Sequence, residues 1–318
     1  MKWSKRGLLF DPTRFQLPNG CAEFAQSPQA LVLDDVVRVY FSTRARDASG
    51  QYLSHIAYAD FDAAMERVLG TATAPVIALG ETGCFDEHGI FPFNVVRHEG
   101  RTVAFTCGWS RRVSVPVETA IGFAVSEDDG KTFRRRGRGP VMGPTPREPF
   151  LVGDPFVLVS DRRWHMWYIY GTAWFDDPSE PGPARVYKIA QAVSSDGMSW
   201  QRDGAAIVAD AIGEQECQAL PTVFECGGRW HMYFCYRHAT DFRSNSRRAY
   251  RLGYAWSEDL VRWTRDDRQA GIDVSASGWD SEMLCYPHVF RSGSQVYMLY
   301  NGNAFGRGGF GLAVMDAA

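Results

Sequence analysis

Short apolar runs, each opening at a proline, recur along the chain: PQALVL from Pro28, PFNVV from Pro92, PFVLV from Pro155, PTVF from Pro221 and PHVF from Pro287. Successive prolines are evenly spaced, at intervals of about 65 residues. After each run comes a turn, then a second run rich in aromatic and β-branched residues: VVRVYFS, RTVAFTC, RWHMWYIY, RWHMYFCY and QVYMLYN. Such composition over so few residues predicts strands, not helices. The tetrapeptide RWHM stands intact in two of these runs, from Arg163 and again from Arg229, so one structural unit is written more than once. A variable loop follows, then a third strand (AIGFAVS, YKIAQAVS, RLGYAWS, FGLAVM), a turn (SEDDGKTF, SSDGMSW, SEDLVRW) and a fourth strand.

Four strands in each unit of about 65 residues, separated by Gly/Asp/Asn turns, predict an all-β, five-bladed β-propeller with four-stranded antiparallel blades. The last unit ends just after its third strand, while the N-terminus supplies an unused strand in which Trp3 takes the place of Trp200 and Trp263. Trp3 precedes Pro28 by much the same interval as Phe133, Trp200 and Trp263 precede Pro155, Pro221 and Pro287. The N-terminal strand is therefore expected to close the ring, leaving no open edge. Residues 1–318 read as a single domain without a linker.

Composition narrows the function. Ten Trp and thirteen Tyr suit a site for flat, partly apolar ligands such as sugar rings, although repeated blades also bury repeated aromatics. A net charge of −3 argues against nucleic acid as a partner. The basic run Arg134-Arg135-Arg136-Gly137-Arg138 reads as a solvated edge. Seven Cys with no C-x-x-C indicate neither a disulfide framework nor a zinc site. No signal-peptide h-region and no run of 18 apolar residues is found, so a cytoplasmic protein without membrane contact is expected.

In a propeller the first strand of each blade lines the channel, so function should gather just before each proline and on the loops 44–52, 108–119, 171–187, 237–250 and 301–309. Glutamate stands five residues before the proline in four units: Glu23, Glu87, Glu216 and Glu282. The third unit has Phe150 there and places Asp154 directly before Pro155. Carboxylates crowded around a concave mouth drive each other's pKa apart, which makes one a proton donor while another stays ionised. Equally, a repeated glutamate can build the blade by accepting hydrogen bonds from a neighbour's backbone or arginine. His88 and His288 lie beside this ring as hydroxyl partners, acid/base groups or cation ligands. His165 and His231, at matching places in RWHM, read as structural. Around the mouth fall Arg44, Trp109, Arg111, Arg112, Trp174, Arg237, Tyr286, Asn301, Asn303 and Arg307, a set of aromatic faces and donors suited to a polyhydroxylated or anionic ligand.

The turn Ser126–Phe133 resembles the Asp box S-x-D-x-G-x-T-W of sialidases and other propellers, a folding element away from the pocket. Five blades, the strand opening with Asp154-Pro155 in the third, and turns of the form S-x-D-G-x-x-W make the chain similar to the five-bladed β-propeller glycosidase superfamily of arabinanases, β-xylosidases, invertases and levansucrases. That resemblance implies an acidic base or nucleophile opening blade one, an Asp before Pro in blade three that tunes pKa or binds sugar, and a Glu acid two residues before the proline of blade four. Here Asp154 falls on its motif, whereas Ser27 and Ala219 occupy the base and acid positions. The expectation is a carbohydrate-active, glycoside hydrolase-like enzyme with a small sugar substrate. Asp154 is its modulator or anchor, Glu216 its acid, and the base is open among Glu23, Glu87 and Glu282. Carboxylates roughly 5–5.5 Å apart would imply retention and roughly 6.5–9.5 Å inversion. A non-hydrolytic transferase and a sugar-binding propeller are the alternatives. No cofactor is indicated, though carboxylate-rich channels can hold Ca²⁺.

Overall fold

The computed structural model describes residues 1–178, 180 and 182–316, so parts of the expected loop 171–187 and of the expected domain end at 318 fall outside the described residues. Almost all regular structure is β-strand. Three four-stranded antiparallel sheets are present among the described residues. The first joins Val152–Ser160, Arg163–Phe175, Ala184–Ser194 and Gln201–Arg202. A second joins Glu216–Cys226, Arg229–His238, Arg251–Ser257 and Thr264–Arg265. In the third, Cys285–Ser292, Gln295–Asn301 and Phe310–Met315 are completed by the N-terminal strand Trp3–Phe10, which pairs antiparallel with Phe310–Met315. A larger sheet contains two more antiparallel groups. One runs Glu23–Val32, Val36–Arg46, Tyr52–Asp62 and Val68–Thr71. The other runs Gly89–His98, Arg101–Arg111, Val117–Ser126 and Arg134–Arg135, and the parallel pair Ser54 and Gly89 links the two. An all-β chain of four-stranded antiparallel units is the arrangement expected of a propeller. No helix among the described residues is long and apolar enough to cross a membrane.

The turns between third and fourth strands hold themselves by side-chain hydrogen bonds. Ser126 Oγ donates to Asp128 at 2.8 Å, Ser194 Oγ to Asp196 at 2.9 Å and Ser257 Oγ to Asp259 at 3.1 Å, while each Asp accepts backbone N–H groups further round the turn. This Asx-type closure is why the S-x-D spacing recurs. Each turn delivers an aromatic that lands on the second strand of the preceding group. Phe133 meets Tyr40 at 5.9 Å between ring centres, Trp200 meets Phe105 at 5.7 Å and Trp263 meets Trp167 at 5.9 Å. From the N-terminal strand, Trp3 meets Tyr233 edge-on at 5.6 Å and donates its indole N–H to the tyrosine hydroxyl at 2.8 Å.

The first strands of the groups pack against one another in sequence, and Cys285–Ser292 packs against Glu23–Val32. Side chains tie them laterally: Asn94 donates to Gln29 at 3.0 Å and accepts the Val157 N–H at 3.0 Å, and Thr222 Oγ1 accepts the Val289 N–H at 3.1 Å. Each first strand also carries one extra residue relative to its partner, at the proline. The register steps from Gln26 to Gln29, Ile90 to Phe93, Gly153 to Phe156, Ala219 to Thr222 and Cys285 to His288 while the second strand advances by one residue fewer. These are β-bulges, which proline favours because it cannot donate to the ladder.

The packing of Trp3 is as deep as that of the internal aromatics, 6% exposed. Trp3→Ala is expected to lower stability by about 3–5 kcal/mol, the cost of emptying a buried Trp site, read as a lower urea midpoint with unchanged m-value. A change within experimental error would show that the N-terminal strand is dispensable.

Candidate functional site

The bulges position the site. The residue before the proline is held in the left-handed region at Ser27 (φ 45°), Asp154 (φ 51°), Leu220 (φ 48°) and Tyr286 (φ 57°), while Phe91-Pro92 is cis. Such a residue leaves the in-and-out alternation of its strand, and Asp154, Tyr286 and Phe91 all come to line one cavity of about 650 Å³. Gly153 lets the strand carrying Asp154 approach its neighbour: a Cβ there would sit 2.7 Å from Cys107 Sγ and 3.1 Å from Thr119 Oγ1. Gln26 and Ala219, two residues before their prolines, complete the inner wall.

Aromatic rings from Phe24, Tyr52, Trp109, Tyr187, Phe242, Tyr250 and Phe305 surround the space, with Arg44, Arg185, Arg237, Arg243 and Arg307 between them. Burial raises the phenols of Tyr187, Tyr250 and Tyr286, so they stay neutral hydroxyls. The Tyr187 and Tyr250 hydroxyls lie 2.7 Å apart, and Arg237 donates to Tyr187 at 2.9 Å.

Two carboxylates line the cavity, Asp154 and Glu282. Asp154 is 7% exposed, and burial pushes its pKa up to about 7, against the opposing pull of the Leu220 N–H, 3.3 Å away, and of Arg185. Glu282 is exposed to solvent, on a loop fixed by Asn303, whose Oδ1 accepts the Glu282 N–H at 2.8 Å and the Met283 N–H at 3.3 Å.

Of the residues expected at the mouth, Asp154, Glu282, Arg44, Arg237, Trp109, Tyr286 and Arg307 are on the wall. The expected carboxylate ring does not form. Glu216 is fully buried and spent elsewhere: it accepts the Ala211 N–H at 2.7 Å and the Ile212 N–H at 3.0 Å, and pairs with Arg265. Glu87 takes the Gly83 N–H and the His88 ring at 3.1 Å, and His88 stacks on Trp109 at 5.8 Å, behind the wall. Glu23 stands at the rim, tied to Arg307 at 2.6 Å. Five residues before the proline is the start of the strand, where a carboxylate meets turn N–H groups and neighbouring arginines before it meets the cavity.

His288 is also displaced from its expected place. It lies between Phe156 and Phe290, each 6.0 Å away, and burial drives its pKa down to about 3, so it stays neutral. Asn301 is consumed by backbone, donating to Ala25 and Gly309 at 2.8 Å and accepting the Ser27 N–H at 2.8 Å. Arg111 pairs with Asp47 and Arg112 with Glu118, and Trp174 supports Arg185 from 5.6 Å without lining the cavity. Among the described residues, no group of three or more His, Cys, Asp or Glu side chains is placed to hold a metal ion.

The sequence reading missed Arg185, Arg243, Tyr187, Tyr250, Phe24, Tyr52 and Gln26. One signal was available. Tyr187, which opens the expected third strand YKIAQAVS, and Tyr250, which ends the expected loop 237–250, stand close to one repeat length apart.

No family model matches the chain. Two Mycobacterium tuberculosis proteins, uncharacterized protein MT1551 of strain CDC 1551 / Oshkosh and uncharacterized protein Rv1502 of strain ATCC 25618 / H37Rv, are each 32% identical over 322 residues, covering 99% of this chain and 100% of the relative. Among solved structures, the chain is similar to a glycoside hydrolase with TM-score 0.72 and 16% identity, over 99% of this chain and 92% of that one. A thermostable family-43 glycoside hydrolase matches with TM-score 0.68 and 12% identity over 93% and 91% of the two chains. The β-1,2-mannobiose phosphorylase of Listeria innocua, in complex with β-1,2-mannobiose, matches with TM-score 0.66 and 12% identity over 99% and 96%. At such identities the likeness to solved structures is one of fold. Identity over the full length is another matter, and this chain belongs to the same family as the mycobacterial proteins MT1551 and Rv1502.

Proposed function

We propose that this protein is a carbohydrate-active enzyme of the glycosidase type, acting on a glycosidic or sugar-like bond with Asp154 as its proton donor. The observation that carries this reading is the position of Asp154: buried in the wall of an aromatic cavity, with its pKa lifted to about 7, it holds a proton near neutral pH where an ordinary carboxyl has lost it. The fold shared with glycoside hydrolases and with a mannobiose phosphorylase supports it. Residues 1–318 form, in this reading, one five-bladed propeller domain. Its support is the run of first strands that returns to Glu23–Val32, with Trp3–Phe10 as the fourth strand of the last blade.

In the proposed step Asp154 gives its proton to the leaving oxygen as the bond to the anomeric carbon breaks, and aromatic faces hold the ring. Glu282, exposed to solvent, takes the opposite role as the carboxylate available to activate water or attack the anomeric carbon. A second reading, group transfer without hydrolysis, is favoured by Ser27, which stands directly before Pro28 where the superfamily resemblance places the carboxylate base. Transfer to an incoming acceptor or inorganic anion needs the proton donor but no carboxylate to activate water. Assaying a panel of disaccharides with water alone, with sugar acceptors and with inorganic phosphate separates the two readings by product.

Asp154→Asn keeps the shape and removes the proton. Turnover should fall by about 10²–10⁴-fold, with a smaller loss on nitrophenyl glycosides, whose leaving group needs little protonation, and ligand binding should persist. Equal turnover in wild type and variant would sink the assignment.

The pH profile follows from the same group. A donor must be protonated to act, and above its pKa the protonated fraction falls tenfold per pH unit, so kcat/KM should decline with unit slope as pH rises through about 7. In Asp154→Asn that alkaline limb should vanish; its persistence would assign it to another group.

Glu216→Gln tests the rejected acid. Removing one partner of a buried pair typically costs about 3–5 kcal/mol, so the melting temperature should drop while kcat of the folded fraction holds. A large loss of kcat without loss of stability would return Glu216 to the chemistry.

A further inference from the structure

The cavity wall carries five guanidinium groups against two carboxylates. Arg307 and Arg243 have acids beside them, Glu23 at 2.6 Å and Glu180 at 3.8 Å. Among the described residues, Arg185 and Arg237 form no ion pair within 4 Å; Arg185 lies against Trp174 and Tyr187, with Asp154 close enough to feel its charge. Arg237 is 4% exposed, donates to the His238 and Ala239 carbonyls and to Tyr187, and leaves its buried Nε without a partner. It lies 3.6 Å above Phe242 and 5.4 Å from Tyr187. Arg243 lies 4.3 Å from the same Phe242, and Arg185 lies 5.9 Å from the same Tyr187. Three cations thus share two rings at one end of the cavity. Burial and the charges of Arg237 and Arg185 lower the pKa of Arg243, which is the mark of like charges held close.

Like charges gathered in a partly dehydrated pocket repel, and a buried charged donor without an acceptor costs more than a neutral one. Neutral hydroxyls can accept single hydrogen bonds but leave that repulsion in place. An oxyanion removes it and matches the planar fork of arginine. We propose that the ligand of this cavity is an anionic sugar, carrying a phosphate ester or a carboxylate, whose oxyanion is held by Arg185, Arg237 and Arg243. The proposal rests on the cavity being a sugar site, as argued above, and not on turnover.

Calorimetry on the full chain tests it with mannose 1-phosphate, UDP-glucose and galacturonic acid against mannose, galactose and inorganic phosphate, at low and high salt. At least one charged sugar should bind about tenfold or more tightly than its neutral counterpart and than inorganic phosphate, with affinity falling as salt rises. Arg185→Gln or Arg243→Gln should weaken that binding by about tenfold or more and weaken neutral sugars by a smaller factor, with the salt dependence reduced. The phosphorylated and carboxylated probes identify which oxyanion is preferred. Charged sugars binding no better than neutral ones would overturn the proposal. So would inorganic phosphate binding as tightly as any sugar phosphate, since the site would then serve the free ion. Salt dependence on the wild-type chain keeps the test decisive if an arginine variant misfolds. Charged-sugar binding without any Asp154-dependent turnover would sink the enzymatic reading alone. Asp154-dependent turnover of neutral sugars without a preference for charge would sink this one alone.

Discussion

A strand that opens onto a cavity has to solve a problem of alternation, because successive side chains point to opposite faces and only every second residue faces in. The proline bulges change that rule at one fixed place in each unit. Proline withdraws one ladder donor, an extra residue is accommodated, and in four of the five units (Ser27, Asp154, Leu220, Tyr286) the residue ahead of it takes a left-handed backbone conformation that a non-glycine residue adopts at a cost of about 1–3 kcal/mol. That cost is tolerated where neighbouring strands lock the bulge. The Leu220 N–H is held by Asp154 of the preceding first strand, and the Ser27 N–H by Asn301 of the last sheet. The cavity wall and the lateral ties between units are therefore the same structure, and a change at a pre-proline residue alters both.

That coupling explains why Asp154 is so well buried. Its carboxyl closes a contact between two units and faces the cavity at once, with Gly153 allowing the strand to press against Cys107 and Thr119. Desolvation raises its pKa more than Arg185 and one backbone N–H lower it, so the proton stays on to about neutrality. Glu216 experiences comparable burial, but Arg265 and two backbone donors satisfy its charge. Burial alone does not make a proton donor; burial with few donors does.

Much of the fold was legible because the repeat is physical. Pro28, Pro92, Pro155, Pro221 and Pro287 mark five bulges in register, and Trp3 fills the slot of Trp200 and Trp263 because the wedge between neighbouring units needs an aromatic at that spacing. The site was legible only in part. Asp154, which breaks the repeat, and Glu282 reach the cavity wall, whereas Glu23, Glu87 and Glu216 are held by local partners, since a residue repeated across units answers a demand repeated across units. Arg185 and Arg243 were hidden in loops whose length varies, where register cannot be counted from the prolines. Their significance lies in gathering around Tyr187 and Phe242, a tertiary fact with no signature in spacing.

The two features that distinguish the cavity, a protonated carboxyl and a cluster of cations, act on each other. Arg185 favours the ionised form of Asp154, which works against a proton donor. In the proposed reading, an oxyanion held among Arg185, Arg237 and Arg243 would offset the charge of Arg185, so the ligand that relieves the repulsion among the cations would also raise the proton affinity of Asp154. Binding and protonation are then linked in sign: occupancy tightens the hold on the proton, and a protonated Asp154 leaves the cavity more positive for the incoming anion. In the proposed reading, Asp154 would hold its proton best when an anionic substrate is present. A neutral ligand would leave the charge of Arg185 acting on Asp154 unrelieved, so in the proposed reading charge would select the substrate by setting the state of the acid as well as by holding the sugar.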